Sequence, residues 1–126
     1  MIDQFMQLVR QYGQESVVQN PGIPDEHNEG VLDEAGNTLM SSFERLAQSG
    51  KVNDVLASPE HPEVKNIESD FASNIIKKFG INNQVAASVA SALIPAIIAG
   101  AGKMAKSYGI DLQSILGSPL GGLFKF

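Results

Sequence analysis

The densest group of side chains able to do chemistry is Asp25-Glu26-His27-Asn28-Glu29, with Asp33 and Glu34 close behind. Carboxylates beside a histidine could hold a metal ion or exchange protons with a substrate. His61 lies in a similar proline-bounded setting, Ser58-Pro59-Glu60-His61-Pro62 against Pro24-Asp25-Glu26-His27. A transition-metal site, however, needs three or four converging ligands, and the chain has only 2 histidines and no cysteine. A proline-bounded loop and a helix separate the two rings, and the spacing of a calcium-binding EF-hand loop is absent. Carboxylates in a first helical turn are what the positive end of a helix dipole favours. The acidic run is therefore read as a helix start.

Nucleophilic and phosphate chemistry find no better support. There is no cysteine and no Gly-x-Ser-x-Gly, and the serines fall in helices or caps without a neighbouring histidine. The run Leu116-Gly117-Ser118-Pro119-Leu120-Gly121-Gly122 lacks the lysine and following helix that a phosphate loop requires. Gly100-Ala101-Gly102-Lys103 misses the four-residue spacer of a Walker motif, and its glycines are better suited to close packing. No catalytic, cofactor-binding or metal-binding residue is assigned, no cofactor is expected, and binding residues are left unknown.

Residues 72–93 have a different promise. Ile75-Ile76-Lys77-Lys78-Phe79-Gly80-Ile81-Asn82-Asn83-Gln84-Val85-Ala86 reads as helix, glycine turn and a second helix with a polar start. A DNA-reading version would present Arg, Lys, Gln or Asn to base edges, with basic residues nearby for phosphates. Beyond Asn82, Asn83 and Gln84 this helix continues in alanine, serine and valine, and the chain carries a net charge of −5. The sign is wrong for a phosphate backbone, so nucleic acid is disfavoured as a partner.

These side chains must be positioned by a chain of 126 residues, which lies in the one-domain range. No disulfide is possible, and no basic patch denser than Lys77-Lys78 is present to attract anionic lipid. The amphipathic N-terminus lacks the basic and continuously apolar regions of a signal peptide, so a cytoplasmic location is expected. The most apolar stretch, 85–101, sits at the lower length limit for a membrane span. Its alanines, serines and glycines suit close helix packing instead, and the amphipathic helices around it need something to cover. A membrane is disfavoured.

Apolar periodicity lays out the rest. Ile2, Phe5, Met6, Val9 and Tyr12 share one side of a first helix, with Gly13 expected as its left-handed cap. A second helix begins near Pro24 or Asp25 and carries Val31, Leu32, Ala35, Leu39, Phe43, Leu46 and Ala47 towards Gly50. Gly36-Asn37-Thr38 suggests a break within it. After a short helix at 53–57 and the proline linker, Val64, Ile67, Phe71, Ile75 and Phe79 define a long helix closed by Gly80. Asn82 or Asn83 caps the next, which runs to about Ser107 and is expected to kink or divide at Pro95. Asp111 caps a last short helix, and the tail carries Leu120, Leu123, Phe124 and Phe126, which either fold back onto the bundle or engage another subunit or partner.

The halves can be superposed in sequence. Residues 23–50 align without gaps onto 81–108, pairing Val31 with Val89, Leu39 with Ile97, Leu46 with Met104 and Ala47 with Ala105. Val55-Leu56-Ala57-Ser58-Pro59 then falls on Ile115-Leu116-Gly117-Ser118-Pro119. The fold expected is an all-α compact bundle of about six to eight helices. It forms a single domain over 1–126 from two similar halves, about 1–59 and 64–119. The second half is expected to supply the core through a central apolar helix, and the first half to wrap it.

Three segments also carry a family resemblance: Asn20-Pro21-Gly22-Ile23-Pro24-Asp25-Glu26-His27-Asn28, Ile75 to Ile81, and Ala86-Ala87-Ser88-Val89-Ala90-Ser91-Ala92-Leu93-Ile94-Pro95. Together they resemble the YidB-like family of bacterial proteins, a domain of unknown function. The resemblance spans nearly the whole chain and is most specific from Phe79-Gly80-Ile81 to Leu93-Ile94-Pro95. It implies a bacterial, all-helical domain and carries over no catalytic or binding residue. The function expected is a non-enzymatic scaffold or protein-interaction module, with an unknown protein partner or self-association. The alternative is a DNA-associated regulator using the helix-turn-helix-like segment 72–93.

Overall fold

A computed structural model describes residues 2–117, and among them the fold is all-α, with six α-helices and two short segments of other helical type. Helix α1 spans Ile2–Gly13 and buries Phe5 and Val9. It does not stop at Gly13, contrary to expectation. Gly13 keeps right-handed angles (φ −80°, ψ −8°), and the chain widens into a π-helical turn, Gln14–Val18. The glycine is needed for space, because the Leu32 side chain fills the position a Cβ would take. Asn20 then folds the loop on itself, accepting from the Gly22 amide at 2.9 Å and donating to the Ser16 carbonyl at 3.0 Å.

A 3-10 turn, Asp25–His27, leads into α2, Asn28–Gln48, which runs without the break expected at Gly36-Asn37-Thr38. Tertiary contact overrides local propensity here. Gly36 is buried beneath Met6 of α1, whose sulfur would lie 2.5 Å from an added Cβ. The left-handed glycine of the first half is Gly50 (φ +73°), just before α3, Val52–Ala57.

The second half follows its local signals more closely. Helix α4, Pro62–Phe79, starts with proline at its first position, and His61 Nδ1 accepts the Glu63 amide at 3.1 Å. Gly80 closes it in the left-handed region (φ +67°). Asn82 caps α5, Asn83–Tyr108, accepting from the Gln84 amide at 2.8 Å and the Val85 amide at 3.4 Å. Pro95 does not divide α5. The carbonyl it leaves without a donor is that of Ser91, an exposed residue, where water can bond it. Asp111 caps α6, Leu112–Gly117, at the Gln113 and Ser114 amides. The apolar tail residues Leu120, Leu123, Phe124 and Phe126 lie outside the described residues.

The core is shared between the halves rather than supplied by the second. Helix α2 buries Val31, Leu32, Ala35, Leu39, Phe43, Leu46 and Ala47, and α5 buries Ala86, Val89, Ala90, Leu93, Ile94, Ile97, Ile98 and Ala101. Each packs within its own half, α5 most extensively on α4, and also reaches across to the other: α2 packs on α4 and α6, and α5 packs on α1 and α3. Phe5 meets Phe43 edge-on, with ring centroids 6.2 Å apart, tying α1 to α2 as well. An outer face of α5, with Ala87, Ser88, Ser91 and Ala92, is exposed.

Candidate functional site

The acidic run stands where a helix start would put it. Asp25, Glu26, Glu29 and Asp33 are exposed, and Glu29 accepts from Arg10 of α1 at 2.8 Å. His27 lies against Phe79, ring centroids 5.3 Å apart, with its Nε2 3.9 Å from Glu26. His61 serves as the α4 cap. Among the described residues, no three His, Cys, Asp or Glu side chains come together.

The two glycines of the 100–103 stretch are contact points. An added Cβ at Gly100 would lie 2.7 Å from the Tyr12 ring, and one at Gly102 would lie 2.7 Å from the Leu56 carbonyl oxygen. The helix-turn-helix-like segment is real as helix, left-handed glycine and helix, and the start of α5 exposes Asn82, Asn83, Gln84, Ala87 and Ser88. Of the neighbouring lysines, Lys78 is committed to Glu34 at 2.7 Å. Helix α5 is long and apolar enough to cross a membrane by length and composition, yet half of its most apolar window is buried within the fold.

A different feature concentrates polar side chains. Helices α2 and α4 run antiparallel, and along one edge their seam is polar. Lys78 Nζ meets Glu34 at 2.7 Å, Asn74 Nδ2 donates to Thr38 Oγ1 at 3.4 Å, and Arg45 meets Glu63 at 3.4 Å. Between these links lies a groove of about 490 Å³, lined by Glu34, Asn37, Thr38, Ser41, Ser42 and Arg45 of α2 and by Asp70, Ser73, Asn74 and Lys77 of α4.

Three of the α2 residues are almost completely covered: the Glu34, Thr38 and Ser42 exposures are 7%, 7% and 5%. The Glu34 carboxylate is neutralised by Lys78, and Thr38 is bonded to Asn74. The Ser42 hydroxyl makes no hydrogen bond to any described residue, although it lines the groove. Open to solvent through the groove, it is an available donor and acceptor.

This groove is missing from the sequence reading. Glu34, Thr38 and Ser42 recur every four residues beside the apolar stripe, and that spacing was the available signal. It was obscured because Gly36-Asn37-Thr38 reads locally as a helix break and Glu34 as part of an acidic helix start. Comparison of the chain with protein-family models, with curated proteins and with solved structures returns no match.

Proposed function

We propose that this chain is a non-enzymatic interaction module whose docking surface is the polar groove between α2 and α4. The observation that carries the reading is the groove's lining: Glu34, Thr38 and Ser42, nearly covered polar residues, stand beside the unpaired charges Asp70 and Lys77 in an otherwise apolar helix interface. The lining favours binding over catalysis. Its buried carboxylate is tied up by Lys78, its arginine by Glu63, and it contains no histidine. We place the chain in the YidB-like family of bacterial domains on the residues that resemble that family.

The duplication belongs to the same proposal. The order long, long, short helix occurs twice, as α1–α2–α3 and α4–α5–α6. The aligned pairs Ile23 and Ile81, Val31 and Val89, and Leu39 and Ile97 are all buried. In that alignment Glu34, Thr38 and Ser42 fall on Ala92, Ala96 and Gly100, so the groove is particular to the first half.

The test is capture with immobilised protein carrying Ser41→Trp, an exposed groove-lining change, beside Ser88→Trp on the outer face of α5. A partner retained by wild type and Ser88→Trp but lost with Ser41→Trp supports the groove. Equal retention by both variants refutes it. The second reading, a DNA-associated regulator, draws support from the exposed polar start of α5. A gel shift at low salt addresses it, because phosphate contacts are strongest there. No shift at micromolar protein removes it.

A further inference from the structure

We infer that the groove takes an extended, polar peptide segment of a partner protein carrying a basic and an acidic side chain three residues apart. The inference rests on the docking role of the groove and specifies the chemistry of its occupant.

Charge sets the ends. Each end of the groove holds one closed ion pair and one unpaired charge of the opposite kind. At one end Arg45 is paired with Glu63, and the Asp70 carboxylate has no partner among the described residues. At the other, Glu34 is paired with Lys78, and the Lys77 ammonium has none. Asp70 and Lys77 are seven residues apart on α4, about 10.5 Å along the axis at 1.5 Å per residue. An extended peptide advances about 3.3–3.6 Å per residue, so three residues span about 10 Å. A ligand cation over Asp70 and an anion over Lys77 thus fit a basic and an acidic residue at i and i+3.

The lining between them sets the backbone. An extended strand presents an N–H and a C=O at every residue, all of which need partners once covered. Asn37, Ser41, Ser42 and Ser73 offer both donors and acceptors across the span. A helical occupant is disfavoured because it recognises a groove through apolar anchors, and this lining is polar throughout. A polyanion such as nucleic acid is disfavoured because the groove holds a single unpaired cation and an unpaired carboxylate.

The experiment uses the full chain, isotopically labelled, titrated with the capped tetrapeptide acetyl-Lys-Ser-Ser-Glu-amide and followed by amide shifts. Shifts confined to 34–45 and 70–78 are expected. Asp70→Asn should weaken binding about fivefold, as an exposed ion pair allows, but leave binding of the Gln-Ser-Ser-Glu peptide unchanged. Lys77→Gln should do the same for the glutamate end. Both positions are exposed, so the variants should keep the wild-type fold, checked by circular dichroism. Placing the charges side by side, as Ser-Lys-Glu-Ser, should abolish the coupling at one end. Uncapped triglycine is the second arm: if it binds as well as the capped peptide, the occupant is a free short peptide and the partner-segment inference is overturned. If no peptide shifts the groove while Ser41→Trp still abolishes partner capture, the ligand chemistry is wrong and the groove reading stands. If both fail, both are overturned.

Discussion

Replacing Gly102 with alanine sets helix propensity against packing within a single methyl group. Gly102 lies inside α5, where glycine costs about 1 kcal/mol relative to alanine, so propensity alone predicts stabilisation by that amount. The new Cβ, however, would stand 2.7 Å from the Leu56 carbonyl oxygen and 3.5 Å from its carbon. Carbon–oxygen contacts ordinarily lie near 3.3–3.6 Å, so α3 would have to recede by roughly 0.6 Å or more. It is not free to do so, since Val52 and Val55 anchor it with no exposed surface. Overpacking of this kind costs about 1–3 kcal/mol. The net expectation is a destabilisation of up to about 2 kcal/mol, or a fall in Tm of up to about 8 °C. Urea unfolding followed by far-ultraviolet circular dichroism measures it, with Ala87→Gly on the exposed face of the same helix reporting propensity alone. A Gly102→Ala variant stabilised by the full propensity gain would refute the seating of α3 on α5.

Three further outcomes can be checked. Ala90→Phe, at a position 2% exposed, should destabilise by about 1–3 kcal/mol through overpacking, and an unchanged melting temperature would contradict the burial of that face. Lys78→Met leaves the covered Glu34 carboxylate without its cation and should cost about 1–3 kcal/mol, part of which Glu34→Gln should recover in the same background; additive single effects would mean the pair contributes nothing. The Asn53 amide and then the Ser114 hydroxyl hold the Asp111 carboxyl below its usual range. The unfolded chain therefore binds that proton at higher pH than the folded one, and the stabilisation is present at neutral pH and lost as pH falls through the folded-state pKa. Thermal melts of wild type and Asp111→Ala should accordingly converge in acid, and a constant difference would exclude the link.

Features that depend on a few neighbouring residues were legible in advance. Gly80 at a helix end and Asn82 and Asp111 as caps all satisfy backbone groups within four residues of themselves. Gly13, Gly36 and Pro95 were not legible, because a neighbour decides each one. Leu32 and Met6 occupy the space at the two glycines, and the exposure of Ser91 tolerates the proline. The groove was hidden for a similar reason. A row such as Glu34, Thr38 and Ser42 is indistinguishable from a solvent face until α4 is known to lie across it.

The crossing of partners between the halves bears on how the chain comes into being. During synthesis, α2 emerges with seven buried-to-be apolar residues, while two of the helices that cover it, α4 and α6, are still to be made. α6 begins only at Leu112, so the last partner of α2 is made long after α2 itself ends at Gln48. A chain caught between the two carries an uncovered apolar stripe, the condition in which helper proteins are recruited. Any product shortened before α6 forfeits a contact of the opposite half as well as its own C-terminus, and cells would be expected to clear it as unfolded chain.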